Sequence, residues 1–167
     1  ILSYCVSGYG NIIPTAIPDS SSAGVIINLN LTGVSGTDLG NDVSLTKACI
    51  SGTHTNVGDL KMTLVAPNGI MIDLMDRPGY PATPTGCSGD DFDVCFTKGI
   101  LYPLENICDS VAPSLSGNYN AANGGNLSDI NSGGGSPNGN WQLIVSDLES
   151  GNTGQINSVQ LYFNNQP

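Results

Sequence analysis

The stretch Asp59-Leu60-Lys61-Met62-Thr63-Leu64-Val65-Ala66-Pro67-Asn68-Gly69-Ile70-Met71-Ile72-Asp73-Leu74-Met75 decides the fold class. Leu60, Met62, Leu64 and Ala66 alternate with Asp59, Lys61 and Thr63. That period of two is the mark of a strand with one buried face, and it predicts these three polar side chains on the outer face. Pro67-Asn68-Gly69 is a turn signal, and 70–75 returns as the hairpin partner. The same alternation recurs outward along the chain. Val25, Ile27, Leu29 and Leu31 form one apolar row, and Trp141, Leu143 and Val145 a second, which places Trp141 in the core. Val159, Leu161 and Phe163 form a third. Residues 43–51 read as a strand with a phase shift near Lys47, the signature of a bulge, and 92–96 as a short strand. Residues 147–154 read as a hairpin connection between the last two strands. No stretch carries a 3.6-residue period. The prediction is an all-β, antiparallel sandwich of jelly-roll type, one domain over 16–167, with an irregular segment or linker over 1–15. Strand signals begin only at Val25; the Pro-, Gly- and Asp-rich span 76–91 and most of 97–140 read as loop, with the greatest flexibility at 131–140.

Composition narrows the function. Asp and Glu number 14 against 4 Lys and Arg, for a net charge of -10. A nucleic-acid binder needs a basic stripe to displace counterions from phosphate, so that class is excluded, and an anionic membrane surface is disfavoured on the same ground. No apolar run is long enough to span a membrane. The chain begins at Ile1 with no leader pattern, as expected of a processed or excised chain. Five cysteines, at 5, 49, 87, 95 and 108, include no CxxC pair. They point to one or two disulfides in a secreted protein, with one thiol free or joined to another chain. Asn30-Leu31-Thr32 and Asn126-Leu127-Ser128 are glycosylation sequons if the host is eukaryotic.

Catalytic machinery is scarce. A serine triad would have to use His54, the single histidine, and no Gly-x-Ser-x-Gly elbow accompanies it. His54 lies close to a strand end and reads instead as a side chain that hydrogen-bonds to neighbouring backbone or packs at the sheet edge. Asp90, Asp91 and Asp93 could act as paired carboxylates, but a glycosidase cleft needs aromatics, which make up only 6% here. Calcium suits the acids better, because it takes six to eight hard oxygen ligands from irregular loops. Asp59, Asp90, Asp91 and Asp147 lie at strand ends or in loops, and the antiparallel path would bring Asp59 towards the Asp90-Asp91 pair.

Three separated segments carry a family resemblance. They are Ala16-Ile17-Pro18-Asp19; His54-Thr55-Asn56-Val57-Gly58-Asp59-Leu60 running into Leu64-Val65-Ala66-Pro67-Asn68-Gly69; and Pro137-Asn138-Gly139-Asn140-Trp141-Gln142-Leu143-Ile144-Val145-Ser146-Asp147 with Gly151-Asn152-Thr153-Gly154-Gln155-Ile156-Asn157-Ser158. In order and spacing, over about residues 16 to 163, the chain resembles the P domain (Homo B) of subtilisin/kexin-like proprotein convertases and of secreted bacterial proteins. The resemblance implies a non-catalytic, extracellular jelly-roll module that assists the folding, stability or partner binding of an attached protease or hydrolase. It implies calcium at Asp19, Asp59, Asp90, Asp91 and Asp147, a structural role for His54, and a Cys87–Cys108 bridge. The family's second acid near the chain's end is Asn152 here, an oxygen without charge, and Thr97 and Lys98 stand where an acidic pair is common. The competing expectations are an adhesion or carbohydrate-binding module, with Tyr80, Tyr102 and Tyr119 as its aromatics, and a subunit that self-associates through the odd cysteine or an unpaired edge strand.

Overall fold

A computed structural model of the chain describes residues 5–9, 14–98 and 102–165. The strands are β1 (Cys5–Tyr9), β2 (Thr15–Ile17), β3 (Ser21–Leu31), β4 (Val43–His54), β5 (Leu60–Val65), β6 (Met71–Asp76), β7 (Phe92–Thr97), β8 (Leu115–Tyr119), β9 (Gly139–Asp147) and β10 (Gly154–Asn165). One short helix, α1 (Ser128–Ser132), and 3₁₀ turns at Val57–Asp59, Leu104–Asn106 and Ala122–Gly124 complete the described elements. One sheet has the order β1-β10-β4-β7-β8, with β2 also pairing β10; the other has the order β3-β9-β5-β6. The all-β sandwich is therefore as expected.

The apolar rows face each other across the sandwich. Ile27 and Leu29 of β3, Leu64 of β5 and Leu143 of β9 are buried against Ile50 of β4, Val94 of β7 and Leu161 of β10. Trp141 joins the two layers by an edge-on contact with Phe163, ring centroids 5.6 Å apart, and its indole N–H donates to the Pro137 carbonyl at 2.9 Å. Burying each such large side chain contributes roughly 1.5–3 kcal/mol. The bulge also stands where the phase shift put it. Tyr162 pairs with Lys47 and Phe163 with Leu45, so Thr46 is the extra residue. It lets Val43 and Leu45 face the core along with Ala48 and Ile50.

Several expectations need correction. Residues 5–9 and 15–17 are not irregular: both pair with β10, whose 12 residues offer backbone partners past the ends of the core rows. β3 starts at Ser21, because its irregular first residues still pair with β9. The sandwich is not wholly antiparallel. β8 runs parallel to β7, since the long connection after β7 returns the chain to Leu115 beside Phe92. Residues 147–154 are not a hairpin. β9 and β10 lie in different sheets, so the segment arches across the end of the sandwich. Nor is 131–140 loose. The Asn131 carboxamide accepts from Leu45 N–H at 2.8 Å and donates to Leu45 C=O at 3.0 Å, and Asn138 treats Val34 the same way, both bonds 2.9 Å.

Disulfides tie β4 to β7 through Cys49–Cys95 and the 76–91 loop to the β7–β8 connection through Cys87–Cys108. The second pairing is the one the resemblance implied. The 76–91 loop is also stitched to the 3₁₀ turn before β5: Gly58 N–H donates to Cys87 C=O at 2.8 Å, and Val57 N–H to Gly89 C=O at 3.0 Å. A Cβ at Gly58 would collide with the backbone nitrogen of Cys87, so the loop sits closer than any side chain allows.

Candidate functional site

β4 ends on His54, β9 ends on Asp147, and Asp59 closes the 3₁₀ turn leading into β5. These strand ends meet at one end of the sandwich, under the 148–153 arch. All three side chains are sealed from solvent, His54 and Asp147 fully. His54 Nε2 stands 3.0 Å from Asp147 Oδ2, and Nδ1 stands 2.8 Å from the carbonyl oxygen of Asn56. Asn56 N–H lies farther from Nδ1, at 3.2 Å. Nδ1 therefore sits against the N–H and C=O of Asn56 and Nε2 against the Asp147 carboxylate, so both ring nitrogens are engaged.

Asp59 is coupled to the same cluster. Its Oδ1 accepts from Asn56 Nδ2, which also donates to the Thr85 carbonyl at 3.1 Å. Its Oδ2 accepts from Asn152 Nδ2 at 2.9 Å. Burial pushes the Asp59 carboxyl above the ordinary range; the two amide hydrogen bonds and His54 pull it down, while the neighbouring Asp147 carboxylate raises it further. Asp147 completes its pairing by accepting from Glu149 N–H at 3.2 Å. A buried carboxylate is tolerable only when its oxygens are occupied in this way. The arch is held from both sides. Leu148 N–H donates to Asp59 C=O at 2.9 Å, and Thr55 N–H to Thr153 C=O at 3.2 Å.

The five aspartates expected to share calcium are therefore distributed. Asp59 and Asp147 meet, each joined to the cluster around His54. Asp91 adjoins them through backbone: Oδ1 accepts from His54 N–H at 3.2 Å, and Asp91 N–H donates to His54 C=O at 3.0 Å. Asp19 is exposed and holds the arch from outside, Gly151 N–H lying 3.0 and 3.2 Å from its two oxygens. Asp90 is not brought to this cluster; it lines a separate open cleft of about 410 Å³ with Ser88, Asp109, Ser110 and Ser114. Among the described residues, no group of three or more His, Cys, Asp or Glu side chains is placed to hold a metal ion. The Asp59–Asp147 centre does not suit a cation, because amide and imidazole N–H groups point at its oxygens. The oxygen-lined cleft beside Asp90 is free of that objection.

The backbone bond of His54 is one of the two roles its sequence context suggested. Asn152 was expected only as an uncharged oxygen in place of an acid, whereas its amide N–H donates to Asp59. Asn56, the other amide that joins Asp59 to its surroundings, was not singled out. The spacing Asn-Val-Gly-Asp was the available signal for Asn56. Of the three tyrosines named as a sugar platform, Tyr119 is buried with its hydroxyl donating to Ser116 C=O, and the Arg77 guanidinium lies over one face of Tyr80, 4.1 Å from the ring centre. Tyr102 is exposed.

No family model matches the chain. Over 74 residues, 44% of the chain, it is 35% identical to leupeptin-inactivating enzyme 1 of Streptomyces exfoliatus, and the match covers 16% of that protein's length. The chain is thus similar to a small part of a much longer polypeptide. None of its helices is long and apolar enough to cross a membrane, among the described residues.

Proposed function

We propose that this chain is a non-catalytic β-sandwich module of an exported multidomain protein, of the P-domain kind, which assists the folding and stability of an attached catalytic domain. The observation that carries this reading is the sealed cluster around His54. The single histidine, the group most suited to acid–base work, has both ring nitrogens occupied and no exposure. Its partners come from the very segments that resemble the P domain: 54–60, 137–147 and 151–158. Residues spread along the chain are used there to lock two sheets together, which is structural work. Two disulfides favour an oxidising, extracellular setting. Similarity to one-sixth of a longer enzyme favours attachment to another domain.

The test is the size and behaviour of the natural product. An antibody raised against this chain should detect, in the culture medium of the source organism, a polypeptide well above 17.2 kDa with hydrolase activity. Deleting residues 16–167 from its gene should lower the yield or thermal half-life of that activity. A secreted product of 17.2 kDa that acts alone would overturn the proposal.

A further inference from the structure

β3 is the outer strand of its sheet and pairs only with β9 among the described strands. The opposite edge, β6, is covered: the 3₁₀ turn Ala122–Gly124 packs on it, and Asn123 Nδ2 donates to Asp76 at 2.9 Å. Among the described residues, no other backbone group bonds to β3 between Val25 and Leu31. Soluble proteins usually protect such an edge with lysine, proline or a bulge. Here the irregularity comes before Val25, and the next seven residues form an unbroken ladder without charge or proline. Their outward side chains are Ile26, which is 51% exposed, Asn28 and Asn30. β9 beside them presents Asn140, Gln142 and Ile144, also uncharged. A chain of net charge -10 thus keeps its acids away from this ribbon.

We infer that the free edge of β3 is an interface between two copies of this chain, paired antiparallel about a two-fold axis at Asn28. A two-fold contact requires a surface complementary to itself. This strand meets that condition. With Asn28 opposite its counterpart, Ile26 faces Asn30 and the inward Ile27 faces Leu29, so both sides of the ladder continue across the axis. The net charge of -10 opposes the close approach of two copies through charged parts of the surface. A seven-residue edge is small beside the roughly 1,200–2,000 Å² of stable interfaces. The dimer is therefore weak and depends on concentration.

Sedimentation velocity from micromolar to millimolar protein, with thiols alkylated so that no intermolecular disulfide contributes, tests this. The wild type should shift from 17.2 kDa towards twice that mass as concentration rises. Asn28→Lys, which sets two lysines face to face at the axis and gives up the exposed hydrogen bonds that Asn28 Oδ1 accepts from Asn140 and Gln142, should stay folded and remain monomeric. Ile26→Lys provides the same test should Asn28→Lys fail to fold. Met71→Lys, on the other edge strand, should dimerise like the wild type. A wild type that stays monomeric throughout, an edge lysine variant that still dimerises, or loss of the dimer in Met71→Lys would each overturn the assignment.

Discussion

His54 is the side-chain partner of the buried Asp147, so removing the ring leaves Asp147 Oδ2 unpaired and only the Glu149 N–H on Oδ1. His54→Ala should lower the unfolding free energy by about 3–5 kcal/mol, the usual cost of orphaning a buried charged group. Denaturant unfolding measures it, and a loss below about 1 kcal/mol would show that the cluster is not structural. Asp59 has the opposite character. Burial makes its carboxyl bind a proton more tightly in the fold than in the unfolded chain. Its contribution to stability is therefore fully present below the unfolded pKa, near 3.9, and is lost as pH rises through the higher folded value. Asp59→Asn should flatten that decline in a pH series of unfolding midpoints, although it gives up one accepted hydrogen bond. An unchanged slope would place the pH dependence elsewhere. Alternation alone put Asp59 on the outer face. The 3₁₀ turn Val57–Asp59 breaks the strand phase just before Leu60 and turns the carboxyl inward.

At the scale of elements, strands with one wet and one dry face were legible, and those without were not. β3, β5, β9 and β10 each repeat the two-residue period over several turns of the pleat. β8 has the sequence Leu-Ser-Gly-Asn-Tyr, buried only at its two ends, and its pairing with β7 comes from the path of the preceding connection. α1 was equally hidden, because five residues are too few to show a helical period. Its contribution depends on one side chain. Asn131 stands in for a neighbouring strand at the β4 bulge, serving both backbone groups of Leu45. Asn131→Ala should leave two buried backbone groups unpaired, at roughly 1–3 kcal/mol each. Hydrogen exchange at Leu45 should accelerate along with that loss. A protected Leu45 amide in the variant would mean that another group had taken over.

The whole molecule carries a net charge of -10, and self-repulsion makes it responsive to a cation. Calcium in the cleft beside Asp90 and Asp109 is our proposal for that cation. At about a hundred times its Kd it would add roughly 2.7 kcal/mol, which is about 5–10 °C at about 2–4 °C per kcal/mol for a chain of this size. Melts in calcium and in EDTA should differ by that amount for the wild type and coincide for Asp90→Asn. Coinciding wild-type melts would remove calcium from the proposal. Much of the molecular plan was already local information. The all-β class, the main core rows, the 67–69 turn and the bulge in β4 followed from periodicity and turn chemistry, which neighbouring residues set among themselves. Sheet membership, the parallel pair and the arch over 148–153 were decided only in three dimensions. So was the meeting of His54 with Asp147, 93 residues away in sequence. A side chain's period reports whether a face is dry; it carries no record of which distant strand dries it. That choice belongs to the packing of both sheets at once, and the candidate site lies where they close.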